Sequence, residues 1–112
     1  MNVTTTRKNL LHILTLASQA VNQKNTNIAL RHLLLVAEKS DLMNGKIRAE
    51  GTDLYVAVSA AETATVDVEG AIVLPAKELI DRIKVMPEGP VTITKVNDRI
   101  DMHGADKRRF GL

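Results

Sequence analysis

The stretch that most limits the fold is Arg7 to Asn22, RKNLLHILTLASQAVN. Leu10, Ile13, Leu14, Ala17 and Val21 recur at the spacing of one helical face, so the segment predicts an amphipathic helix lying on a core. Lys8, His12, Thr15, Gln19 and Asn22 fall on the opposite face. No Asp or Glu occurs in the first thirty-seven residues. The open face of this helix is therefore expected to be basic and polar, without a counter-charge of its own. Ala76 to Met86 repeats the logic: Ala76, Leu79, Ile80 and Ile83 form an apolar stripe, and Lys77, Asp81 and Lys84 an outward one. Two such helices side by side on a sheet would present a weakly positive surface to an anionic partner.

A chain of 112 residues fits one domain and can bury a core without covalent staples. The sequence has no cysteine, which excludes disulfides and thiolate chemistry. It carries neither a membrane-length apolar run nor a secretory leader, so a soluble intracellular domain is expected. One Tyr and one Phe leave little to stack on bases, against a single-strand binder with aromatic platforms. The net charge is only +2, but it is unevenly spread. Glu38 to Glu69 holds seven acids and three bases, a net −4, so the positive excess sits on the helices and their flanks. Such a molecule is oriented in a field even when its total charge is small.

In chain order, Met1–Thr5 predicts a short strand, and Thr6 an N-cap for the first helix. Asn22–Asn27 is a polar loop. Ile28–Ala37 predicts a strand from about Leu30. Lys39–Gly45 is a turn with a hairpin signal at Asn44-Gly45. Lys46–Glu50 alternates, with Ile47 and Ala49 inward. Gly51-Thr52-Asp53 turns the chain into a strand over Leu54–Ser59, and Glu62–Glu69 is a further strand with Val66 and Val68 on one face. Gly70 breaks the pattern before a short buried run, Ala71–Leu74. Pro75 fits the first position of the second helix, and Glu78 with Arg82 is an i, i+4 pair. Pro87-Glu88-Gly89-Pro90 stops that helix. Val91–Lys95 and Arg99–Met102 form a hairpin across Asn97-Asp98, and Lys107–Leu112 a last strand. Strand, helix, then antiparallel strands occurs twice, from Met1 and from Ala71. The expected class is α+β: two helices packed on antiparallel sheet, with an internal β-α-β-β-β repeat.

The pattern holds little that suits catalysis. His12, His32 and His103 are not at metal-ligand spacing, so neither a metal nor a cofactor is expected. His12 reads as a solvated or phosphate-facing residue, His32 as packing or surface. Asp53 reads as a turn former bonding its own backbone. There is no glycine-rich phosphate loop and no nucleophile elbow. Lys8, Lys24, Lys77 and Lys84 are either an ordinary solvated face or a phosphate-facing one, and the acid-free start of the chain favours the second.

A set of short motifs in order then resembles a known family. Arg7-x-x-Leu10-Leu11, Leu33-Leu34-Leu35, Gly51-Thr52-Asp53-Leu54, Leu74-Pro75-Ala76-Lys77, Pro87-Glu88-Gly89 and Lys107-Arg108-Arg109-Phe110 together resemble the N-terminal domain of the bacterial sliding clamp, the β subunit of DNA polymerase III. The family's Thr-x-Pro-Ile-Leu appears here without its proline, as Thr26-Asn27-Ile28-Ala29-Leu30. The resemblance implies a DNA-clamp fold and a non-catalytic processivity factor. It also implies a chain of three such domains, two chains closing a homodimeric ring around double-stranded DNA in the bacterial cytoplasm, at the nucleoid. The helices would line the hole, with Lys8, His12, Lys24, Lys77, Arg82 and Lys84 turned toward DNA. Arg99, Lys107, Arg109, Phe110 and Leu112 would belong to the dimer interface, on an exposed edge strand. The second and third domains, through which the family docks replicative polymerase and clamp loader, would lie outside this sequence. The alternative is a free-standing basic α+β module that binds an acidic protein partner.

Overall fold

Residues 1–21, 32–41, 44–52, 56–97 and 99–104, with the backbone of 109–111, are described by the computed structural model. The first repeat is β1 (Asn2–Thr6), α1 (Arg7–Ser18), β2 (His32–Lys39), β3 (Gly45–Thr52) and β4 (Ala57–Val68). The second is β5 (Gly70–Pro75), α2 (Ala76–Lys84), β6 (Pro90–Val96), β7 (Arg99–His103) and β8 (Arg109–Gly111). The expected β-α-β-β-β repeat is therefore present.

All neighbouring strands are antiparallel, in the order β5-β2-β3-β4-β1-β6-β7-β8. Each repeat gives its first strand to the other: β5 pairs with β2, and β1 with β6. Among the described residues only β5 and β8 have a single neighbour, so the sheet opens between them. Inward residues of the strands meet both helices in one core, including Leu33, Leu35, Ile47, Ile93, Ile100, Met102, Leu10, Leu14, Leu79 and Ile83. Among the described residues, burial of these side chains supplies most of the stabilisation, each roughly 1.5–3 kcal/mol relative to exposure.

The first helix forms where its pattern predicts but stops sooner. Thr6 is the N-cap, and its Oγ1 accepts a hydrogen bond from Asn9 N–H at 3.1 Å. At the other end the Ser18 hydroxyl donates to Thr15 O at 2.9 Å, and Ala20 and Val21 bond three residues back instead of four. This tight turn replaces the expected last helical turn, yet keeps Val21 buried. In α2, Pro75 is the N-cap, not the first helical residue, because it also ends β5 opposite His32.

Four strand expectations change. The 54–59 and 62–69 segments are one strand from Ala57 onward, paired with β3 from Ala57 to Ala64 and with β1 beyond it. Val68 does not share the inward face with Val66, because a register shift between Asn2 and Val3 in the β1–β4 pairing leaves it 54% exposed. Val73 of the Ala71–Leu74 run is 60% exposed, since β5 alternates at an open sheet edge and buries only Ile72 and Leu74. Gly51 lies within β3, not in a turn. The β2–β3 hairpin closes from Lys39 to Gly45 and is held by Asp41, whose Oδ1 accepts from Asn44 N–H at 2.8 Å. The β6–β7 hairpin turns at Asn97, whose φ of 57° suits a tight two-residue loop. Expectations for the Asn22–Asn27 loop, the strand start before His32, and Asp53, Leu54 and Tyr55 lie outside the described residues.

Candidate nucleic-acid interface

The helices are placed by contacts that begin at residue level. Gly51 lets α1 approach β3: a Cβ there would stand 2.3 Å from Ala17 O and 2.9 Å from Val21 Cγ2. Ala60 and Ala64 of β4 pack against the same core and keep the floor under α1 shallow. Arg7 then ties the two helices. Its Nε donates to Ile83 O at 3.2 Å and its Nη2 to Lys84 O at 3.0 Å. Its backbone N–H donates to Gly89 O at 2.8 Å. A guanidinium on the last carbonyls of α2 satisfies groups the helix cannot, and its charge opposes the negative end of the helix dipole.

Above this base the polar stripes face outward. Lys8, His12 and Thr15 of α1 and its C-cap Gln19 are exposed, as are Lys77, Glu78, Asp81, Arg82 and Lys84 of α2. Among the described residues Lys8, Lys77 and Lys84 form no ion pair, whereas Arg82 is engaged in a contact of its own. The first turn of α1 holds Arg7 and Lys8 and no acid, so side-chain cations and the positive helix end add together. A shallow groove beside α1 is lined by Arg7, Lys8, Leu11, His12 and Glu88.

The open face of α1 carries no acid of its own, as expected, but another element brings one to it: Glu62 of β4 lies with Oε1 3.2 Å from His12 Nδ1. The sequence reading missed Glu62, Arg7 and Gly51. Glu62 had a signal, as an acid in the inward row Val58, Ala60, Ala64, Val66. The acidic body predicted for residues 38–69 is partly neutralised on the sheet, where Arg48 pairs with Glu38 at 2.8 Å and also with Glu50.

The structure brings Lys8 and His12 together on α1 and Lys77, Arg82 and Lys84 on α2. Lys24 lies outside the described residues. Of the expected interface set, Arg99 is exposed at the start of β7. Arg109 and Phe110 are on β8, where Phe110 pairs with Met102 in register. Lys107 and Leu112 lie outside the described residues.

All of residues 1–112 match the family of the DNA polymerase III beta subunit, N-terminal domain. The chain belongs to that family. A beta sliding clamp from Synechocystis is 35% identical over 80 residues, which cover 71% of this chain and 20% of that protein. The DNA polymerase sliding clamp of Caulobacter crescentus is 28% identical and superposes with a TM-score of 0.88, covering all of this chain and 30% of that one. The DNA polymerase III subunit beta of Pseudomonas aeruginosa is 25% identical with a TM-score of 0.82, covering all of this chain and 29% of that one. The chain thus spans under a third of the length of these relatives. The polymerase III beta architecture expected from the motifs, two helices packed on antiparallel sheet, is the one observed. Among the described residues no helix is long and apolar enough to cross a membrane.

Proposed function

We propose that this domain is a non-catalytic part of a DNA sliding clamp. With further domains like those of its relatives, it would form a homodimeric ring around duplex DNA and keep a replicative polymerase and its loader on the template. The observation that carries this reading is the pair of adjoining helices with Lys8, Lys77 and Lys84 exposed and without ion pairs among the described residues. A ring that slides holds DNA by topology, so its contacts should be few, weak and to phosphates, without reading bases. A small positive face suits that task, and a row of arginine forks on base edges would oppose it. Lys24 and Arg82 are assigned to the same face on family resemblance. The single-neighbour strand β8 supports ring closure through Arg99, Lys107, Arg109, Phe110 and Leu112, since an open edge pairs readily with another chain. Such a protein would work in the bacterial cytoplasm at the nucleoid.

The test loads the full-length chain onto nicked circular DNA and the same DNA linearised, with clamp loader and nucleotide. Retention on circles with loss from linear ends is expected. Equal retention on both would replace the ring by ordinary electrostatic binding. No retention on either, while a control clamp loads, would remove both ring and DNA.

A further inference from the structure

The His12–Glu62 contact joins the outward stripe of α1 to an inward position of β4. His12 is 59% exposed and Glu62 32% exposed, with Nδ1 and Oε1 3.2 Å apart. An ionised carboxylate only accepts, so the hydrogen on this contact must sit on Nδ1. A neutral imidazole carries one hydrogen, and Nε2 is then left with a lone pair. A lone pair offers nothing to a phosphate oxygen. The protonated ring carries hydrogens on both nitrogens, and Nε2 becomes a donor.

We propose that Glu62 is a positioning residue that fixes the His12 tautomer, so that His12 donates to a DNA phosphate only when its ring is protonated. The inference rests on the proposed duplex DNA reading of the helix face. Other charges reach the same place. Arg7 and Lys8 on α1 and Glu88 from the turn before β6 line the groove with His12. The β3 residues beneath α1, Ile47, Ala49 and Gly51, are uncharged, and no α2 side chain lines that groove among the described residues. The protonated ring thus offers a phosphate one contact per domain copy that the neutral ring does not.

The test measures binding of the full-length clamp to a short fluorescent linear duplex at low salt, at about pH 6 and about pH 8. The parent protein should bind several-fold more tightly at the lower pH, and His12→Gln should lose that difference. Glu62→Ala frees the neutral ring to place its hydrogen on Nε2. It should tighten binding at the higher pH by about three- to tenfold and narrow the gap. Glu62→Gln separates charge from tautomer, because its amide oxygen still accepts from Nδ1. It should tighten binding at both pH values and keep the gap. Equal tightening by Glu62→Ala at both pH values, or a gap that survives His12→Gln, would overturn the assignment. Lys77→Ala is the control for the underlying reading. If it weakens binding while Glu62→Ala leaves the gap intact, only this inference fails; if neither Lys77→Ala nor His12→Gln alters binding at any pH, the DNA-facing helix reading fails as well.

Discussion

Two single residues decide where the helices sit. Arg7 is half-buried at the start of α1 and bonds the last carbonyls of α2. Arg7→Ala strands those carbonyls and removes a cation from the α2 terminus. With one of the two bonds exposed, the expected loss is about 1–2 kcal/mol, read as a lower urea midpoint with unchanged slope. Arg7→Lys should recover only part of it, since an ammonium cannot reproduce the planar fork. Gly51 acts through absence. A methyl group at Gly51 would meet the Ala17 carbonyl at 2.3 Å, a backbone atom that cannot swing aside. Gly51→Ala should therefore cost about 2–3 kcal/mol by overpacking. An equal change at Gly70, where the nearest atoms belong to the terminal residue Met1, should cost less. If the two alanine variants melt alike, close helix approach is not what Gly51 provides.

At the scale of elements, periodicity made α1, α2, β3 and the β6–β7 hairpin legible. Each is one-faced, and Leu10, Ile13, Leu14, Leu79 and Ile83 are all fully buried as their spacing requires. What periodicity could not show was where two elements touch. Glu62 lies 50 residues from His12, and Arg7 lies 76 from Ile83. No local pattern contains either pair. Gly51 was misread for a related reason: glycine signals a turn in a sequence, while a glycine under a helix signals the helix above it. The split of β4 came from Ala60-Ala61, a weak strand signal that reads as a break. In the structure the small Ala60 suits a strand with a helix packed close over it, while Ala61 is exposed on the other face. The bulge that turns Val68 outward depends on the partner strand β1, so its effect was likewise invisible locally. Of the candidate DNA-facing residues, helical phase placed Lys8, His12, Lys77 and Lys84 on outward stripes, the acid-free start of the chain added Lys24, and family resemblance alone suggested Arg82.

Over the whole molecule, exchange of first strands makes the two repeats interdependent. Residues 1–69 without β5 and β6 leave β2 and β1 each lacking a neighbour, and leave α1 without α2. A fragment ending at Glu69 should remain largely unfolded by circular dichroism, and adding a 70–112 fragment should restore strand and helix signal. Independent folding of the first half would mean that the exchange contributes little to stability.

Charge is segregated on the same scale, and the proposed function turns on that segregation. Lys8, Lys77 and Lys84 stand on the helices without ion pairs among the described residues, while Arg48 on the strands is held between two glutamates. On the proposed reading it is the helix cations that displace counterions from DNA. In the full-length chain, changing Lys8, Lys77 and Lys84 together to Gln should flatten the dependence of log affinity on log salt. The expected change is about 0.9 for each phosphate contact removed. Stability should stay within about 0.5 kcal/mol, since all three are exposed surface residues. Lys46→Gln, on the strand bearing Arg48, should leave the salt slope unchanged. Duplex binding titrated across a range of salt concentrations separates the outcomes. Equal slopes for the triple variant and the parent would mean that the helices do not face phosphates. An equal loss from Lys46→Gln would mean that the whole surface, and not one face, attracts the DNA.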